Sequence, residues 1–240
     1  MTLTPLREDW HRALAVVAHP DDMEFGAASA VARWTAQGKD VRYCMVTSGE
    51  AGIDAMTPVD ARPVREAEQV RSAQVVGVGD VQFLRQPDGV LEYGLHLRRE
   101  IAGVIRACRP EIVLTNNFRE TFAGGGLNQA DHVATGRATV DAVRDAGNRW
   151  VFPDQLGGGV EPWDGVRQVW ANGSPAGEHA VDVTETFDLG VASLEAHRAY
   201  LDGLGWDLDP GEFLGTVCRA TGAELGVRYA TGFEVLDLAG

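Results

Sequence analysis

Leu14-Ala-Val-Val-Ala18 is a short apolar run, rich in β-branched residues and without polar alternation. That pattern is what a strand buried on both faces requires, so the chain must lay other elements against each side of it. The following sequence supplies them. Phe25 to Gln37 reads as a helix closed by Gly38, and Val41 to Thr47 as the next strand. Pro63 to Val76 reads as a helix with proline near its start and Gly77 near its end. Val81–Leu84 and Ile112–Thr115 read as further strands, separated by a helix from Leu95 to Cys108 and followed by one from Ala130 to Ala146.

Strand alternating with helix at this spacing gives the expected fold class, α/β: a three-layer domain with a mainly parallel, Rossmann-like sheet flanked by helices. After Trp150 the rhythm changes. Gly157-Gly-Gly159, Pro162 and Gly165 mark loops, Val166–Ala171 and Ala180–Val183 read as short strands, and Thr186–Leu201 and Pro210–Leu225 as helices. No linker rich in Pro and Ser divides the chain. Residues 1–240 are therefore expected to form one domain, with a core over 13–150 and an elaboration of it over 151–240. At 240 residues and 45% hydrophobic content, such a core can be buried.

Charge narrows the partners. With 35 Asp and Glu against 21 Lys and Arg, the formal net charge is −14. That disfavours nucleic acid and anionic membrane surfaces, both of which need clustered cations. No apolar run reaches the roughly 18–20 residues of a membrane helix, and the first ten residues do not read as a signal peptide. Cys44, Cys108 and Cys218 are widely spaced, which disfavours a disulfide framework or a thiolate zinc knuckle. A cytoplasmic protein is the expectation, and a homo-oligomer is left open.

In open α/β sheets, ligands sit beyond the carboxyl ends of the strands. There the first strand delivers Ala18-His-Pro-Asp-Asp-Met-Glu24. Imidazole and carboxylate suit a divalent cation such as Zn²⁺ where no thiolate is offered. His19 and Asp22 supply two ligands, and His132, beyond the Ile112–Thr115 strand and a Gly124-Gly-Gly126 loop, is the best-placed third. A second reading stays open on the same residues. Asp21 to Glu24 fits a capping box, and Asp131 fits a cap for its own helix. Among the remaining histidines, His11 lies before the first strand, His96 opens a helix far from any second candidate ligand, and His179, which could reach a site rim, reads first as an ordinary surface residue. His197 reads as a satisfied helix histidine or a subunit contact. A P-loop, a dinucleotide fingerprint and a nucleophile elbow are all absent.

The segment Ala18-His-Pro-Asp-Asp-Met-Glu24 resembles the signature of the PIG-L/LmbE-like zinc-dependent N-deacetylases. That family includes the N-acetylglucosaminyl-phosphatidylinositol deacetylases and the deacetylases of mycothiol and bacillithiol synthesis. Thr47-Ser-Gly-Glu-Ala-Gly52, Arg65-Glu-Ala-Glu68, Asp88-Gly89 and Asp131-His132-x-x-x-Gly136 are similar to its other motifs, in order, through residues 13 to about 146. The resemblance implies a hydrolase that removes an acetyl group from the amine of a small, soluble N-acylated substrate, of amino-sugar or thiol-conjugate type. It implies His19, Asp22 and His132 as ligands of Zn²⁺, with Fe²⁺ or another divalent ion also compatible. It implies Asp21 as the general base and Arg65 as a substrate-binding residue. One departure bears on activity. Where the family's motif opens with histidine, this chain has Gln129, and Ala130 replaces the proline after it. Gln129 can donate a hydrogen bond in the substrate-binding region but cannot transfer a proton. That motivates an alternative: a family member that binds metal and ligand with weak or lost hydrolysis.

Overall fold

A computed structural model describes residues 3–238. The expected central strand is β2 (Arg12–Val17), after a two-residue edge strand β1 (Thr4–Pro5). Two short helices follow, α1 (Asp22–Gly26) and α2 (Ala28–Ala36), where one continuous helix is expected. Next come β3 (Asp40–Met45), α3 (Pro58–Val75), β4 (Val81–Phe83), α4 (Leu95–Cys108), β5 (Ile112–Asn116) and α5 (Ala130–Gly147). Helix α3 starts five residues before the expected Pro63. The Thr57 hydroxyl caps the Asp60 amide and Pro58 occupies the first turn, so Pro63 falls inside the helix.

The second half contributes β6 (Gln168–Asn172), β7 (His179–Asp182), α6 (Phe187–Glu195), α7 (Arg198–Asp202), α8 (Pro210–Leu225) and β8 (Ala230–Asp237). The helix expected over 186–201 is broken at His197, which the interior takes up. One eight-stranded sheet runs in the order β1-β7-β8-β6-β5-β2-β3-β4. β8 is antiparallel to both β6 and β7, and the other pairs are parallel.

Strand alternation divides the core into two. Ala13, Ala15 and Val17 of β2 pack in the cluster containing Val31, Trp34 and Leu194. Leu14 and Val16 pack on the other face, with Ile101, Ile105, Ala138 and Ala142. From β2 the chain winds outward to β3 and β4, then crosses to β5 on the other side. The ends of β2 and β5 therefore flank a topological switch point, where the connections on either side diverge and leave a crevice. No helix among the described residues is long and apolar enough to cross a membrane.

Helix α5 meets the end of β5 through Gly136. A Cβ there would stand 2.8 Å from both the Asn116 carbonyl oxygen and the Phe118 Cβ. Helix propensity alone would favour alanine by about 1 kcal/mol, but contact with fixed backbone outweighs it. Gly136→Ala is expected to cost about 1–3 kcal/mol and to lower Tm by several degrees. A thermal melt no lower than that of the wild type would contradict this packing.

Candidate metal centre and its surrounding cavity

At the end of β2 the chain is locked from both neighbouring strands. Asn116 Oδ1 accepts from the Ala18 amide at 2.8 Å, and the Thr47 hydroxyl donates to the Ala18 carbonyl at 2.9 Å. The backbone then turns sharply, and Asp21 adopts φ 86°, ψ −21°, a left-handed conformation that costs energy for any residue with a Cβ. Helix α3 holds it there. Gln69 Oε1 accepts from the Asp21 amide at 2.9 Å, while Arg65 Nη2 donates to the Pro20 carbonyl at 2.8 Å and to Asp21 Oδ2 at 2.7 Å. Arg65 is buried, with the Tyr200 ring 3.9 Å from its guanidinium carbon, and both residues line the cavity in front of Asp21.

The capping-box reading does not survive. Asp21 makes no side-chain cap bond, and Glu24 turns into the interior. Glu24 Oε1 accepts from Gln69 Nε2 and Ser72 Oγ, and Oε2 lies 3.6 Å from Nε2 of the fully buried His197. Gln69 thus links this network to the Asp21 amide. His197 stands between α6 and α7, inside its own chain. Asp131, likewise, does not cap its own helix. It accepts from the Gly89 and Leu91 amides at 2.7 and 3.0 Å, and Gln129 occupies the N-cap position of α5.

His19, Asp22 and His132 come together. Each offers one ligand atom within 4.8 Å of the others. His132 Nε2 lies 2.9 Å from Asp22 Oδ1, His19 Nδ1 lies 3.6 Å from Asp22 Oδ2, and the two imidazole centroids are 5.2 Å apart. Asn128 Oδ1 takes up His132 Nδ1 at 3.1 Å, and Asn128 Nδ2 donates to the Asn117 and Arg119 carbonyls. This places the amide oxygen toward the ring, so Nδ1 carries the proton and Nε2 is the atom left for a cation. Asp88 Oδ1 and Asp131 Oδ2 face His19 Nε2 at 3.1 and 3.4 Å, leaving its Nδ1 toward Asp22.

His19, Asp88 and Asp131 form a second compact group. Asp131 is already engaged by two amides, and Asp88 accepts from the Ala51 amide at 2.7 Å. With amides already on both, these two carboxylates are placed to orient His19, whereas the His19–Asp22–His132 group joins two imidazoles to one carboxylate. Two imidazoles and one carboxylate in that arrangement fit a divalent cation that keeps an open position.

Burial and the neighbouring Asp22 charge push the Asp21 carboxyl up, although Arg65 pulls it down. Burial would also raise Asp22, but the adjacent His132 and His19 hold it well below the usual carboxylate range. Burial opposes the charge on His19, yet Asp131, Asp22 and Asp88 raise its pKa well above the usual value. The twin carboxylates thus meet opposite environments.

The cavity around these groups has a volume of about 640 Å³. Gln129 stands exposed on its rim and Arg65 lies on its floor, so all six residues singled out from the sequence face one space. The resemblance places Asp88 in a motif but implies no role for it. Asn116, Asn128, Gln69 and Tyr200 carried no local signal, since each acts only through a distant segment.

The model of the family described as GlcNAc-PI de-N-acetylase, PIG-L, matches residues 14–143. Diacetylchitobiose deacetylase of Thermococcus kodakarensis is 28% identical over 229 residues, covering 94% of this chain and 83% of that protein. The 1D-myo-inositol 2-acetamido-2-deoxy-alpha-D-glucopyranoside deacetylase of Kineococcus radiotolerans is 30% identical over 186 residues. That match covers 63% of this chain and about half of the relative, 49%. The solved structure of N,N'-diacetylchitobiose deacetylase from Pyrococcus horikoshii superposes with a TM-score of 0.86 at 22% identity, over 96% of this chain and 85% of that one.

Proposed function

We propose, because this chain belongs to the GlcNAc-PI de-N-acetylase (PIG-L) family, that His19, Asp22 and His132 hold a zinc ion and that Asp21 is its catalytic base. The protein is a metal-dependent N-deacetylase, an amide hydrolase. Its proposed substrates are small N-acetylated amines of amino-sugar or thiol-conjugate type. The observation that carries this reading is the convergence of the three ligand atoms beside a carboxylate held separately by Arg65.

A divalent ion in that place supplies an acidified water near neutral pH and a polarised amide carbonyl. The chain's own residues do the rest. One oxygen of Asp21 is fixed by Arg65, which leaves the other to accept the proton of the attacking water. Asp21 then carries that proton to the departing amine, since Gln129 cannot. The Gln129 carboxamide, on the rim beside His132, donates to the oxygen that gains negative charge. Arg65, locked against Asp21 and under Tyr200, positions the base and lines the floor on which substrate rests.

The binding-only alternative raised by Gln129 is not favoured, because loss of that histidine leaves the ligands, the base and a hydrogen-bond donor in place. Protein loaded with zinc is expected to release free amine from N-acetylglucosamine or its glycosides, to stop on chelation and to resume on readdition of metal. Loaded protein that releases no amine from any such compound would overturn the reading. Gln129→Ala is expected to lower kcat by about 10²-fold, with KM changing much less. Gln129→His, which restores a donor, is expected to stay within about tenfold of wild type. An alanine variant at full rate would remove Gln129 from the mechanism.

A further inference from the structure

Helix α3 buries polar residues where a helix usually buries apolar ones. Arg65, Glu68, Gln69 and Ser72 share one face, and each is at most 2% exposed. Such a face is costly unless its groups are paired. The pairs divide between two segments far apart in the chain. Toward the turn at residues 20–24, Arg65 holds the Pro20 carbonyl and Asp21, and Gln69 holds the Asp21 amide and Glu24. Toward α6 and α7, Ser72 Oγ lies 2.8 Å from Ser193 Oγ, and Glu68 Oε1 accepts from the Ala199 amide at 2.6 Å.

His197 is the corner between α6 and α7, and it joins the two segments directly. Its backbone leaves the helical region at φ −83°, ψ 51°, and its carbonyl accepts from the Leu201 amide at 2.9 Å as α7 begins. Its side chain is fully buried against Glu24, with Nε2 3.6 Å from Oε2. Neither ring nitrogen is hydrogen-bonded among the described residues. Burial pushes the Glu24 carboxyl up, yet His197, Ser72 and Gln69 outweigh it and hold it low. A buried imidazole set on a buried carboxylate is expensive packing for a helix corner, where apolar side chains of similar volume would cost less.

Two lines run from this corner to Asp21. One passes through Glu24 and Gln69 and ends on the Asp21 amide. The other passes along α7 to Tyr200, whose ring centroid stands 3.9 Å from the Arg65 guanidinium carbon, and ends on Asp21 Oδ2. Arg65 Nη2 is hydrogen-bonded, but Nε and Nη1 are buried without such partners, so the aromatic face completes the seating of the guanidinium. Asp21 needs both lines, because a left-handed backbone at a residue with a Cβ persists only where its surroundings over-determine it.

We propose that His197 is a positioning residue for the base: set on Glu24, it holds the α6–α7 corner against the turn at residues 20–24 and so aims Asp21 through Gln69 and through Tyr200 and Arg65. The proposal rests on the deacetylase reading for what Asp21 does. It adds a residue that lies beyond 143, outside the segment that matches the family model.

The test compares zinc-loaded wild type with His197→Gln, His197→Met and Ile101→Val. Glutamine places a donor near the position of the imidazole Nε2, methionine fills the space without one, and Ile101→Val loosens the core on the opposite face of the sheet. With N-acetylglucosamine, His197→Met is expected to lower kcat about 10–100-fold, with zinc content and KM close to wild type. His197→Gln should recover most of that loss, and Ile101→Val should melt lower with kcat unchanged. Hydrogen exchange at the Asp21 and Ala199 amides, read by NMR, is followed in parallel. Both amides should exchange about tenfold faster in His197→Met than in Ile101→Val. If His197→Met does not fold, the double variant Glu24→Gln with His197→Met, which leaves no unpaired carboxylate at the corner, takes its place. A methionine variant that keeps the wild-type kcat, or a glutamine variant as slow as methionine, would overturn the proposal. If wild type releases no amine from this sugar or its glycosides, the deacetylase reading fails and exchange decides alone. Faster exchange in His197→Met that His197→Gln reverses keeps the corner as the clamp on Asp21, and equal exchange in all variants removes it.

Discussion

Asp21→Asn is expected to cut kcat by about 10²–10⁴-fold, the usual contribution of a positioned general base, while the protein still binds its metal. Asparagine preserves what the fold needs at this position. It tolerates the left-handed backbone seen at φ 86°, its amide can still meet Gln69 Oε1, and its side-chain oxygen can still accept from Arg65 Nη2. What it cannot do is take a proton. Some stability is lost as well, because the buried Arg65 guanidinium no longer faces a charge. The measurements are steady-state kinetics on an N-acetylated amino sugar, metal content of the purified variant, and a thermal melt. A variant that folds, holds metal and retains the wild-type rate would show that the base lies elsewhere. A variant that loses metal together with activity would place Asp21 among the ligands.

His19→Ala is expected to abolish both metal retention and hydrolysis, and Asp22→Ala and His132→Ala should do the same. The informative comparison is with Asp88→Asn and Asp131→Asn. If these carboxylates orient His19 through its Nε2, their loss should weaken metal affinity by about 10–100-fold without emptying the site at saturating metal. Titration of zinc into each chelator-treated variant, read by calorimetry, separates the two overlapping groups of ligand atoms. Were His19, Asp88 and Asp131 the true coordination set, the pattern would invert: alanine at Asp88 would empty the site, and alanine at His132 would leave binding intact.

Much of this centre could be read from the chain because its first part is local. A doubly buried strand that runs without a break into His-Pro-Asp-Asp places His19, Asp21 and Asp22 at a strand end whatever the remainder does. The participation of His132 is of another kind. No spacing rule brings it to His19; it arrives because β5 pairs with β2, and Gly136 lets α5 close upon the end of β5. Glu24 shows how a local pattern misleads. It sits where a capping box would use it, but capping is a weak interaction at the surface. Three buried partners from α3 and the α6–α7 junction compete for the same carboxylate and win it. β8 went unrecognised for a related reason. Its residues alternate poorly, and its place between β6 and β7 is fixed by antiparallel pairing with strands 48 or more positions earlier in the chain. Helices α4 and α8 end where the sequence predicts, since their stop signals, Arg109-Pro110 and Gly226, are adjacent in the chain.

The central position of β2 has a consequence for how the molecule breathes. This strand has hydrogen-bonded neighbours on both sides and helices over both faces, so its amides can exchange with solvent only in openings close to global unfolding. His19 and Asp22 hang from its last residues, and the Ala18 amide is itself held by Asn116. Exchange is expected to be slowest beneath the proposed ligands His19 and Asp22 and faster in α7 and α8, which carry Tyr200 and Phe213 to the cavity wall. Loosening of the outer cavity wall is thereby uncoupled from His19 and Asp22, which stay anchored to the strand least able to open.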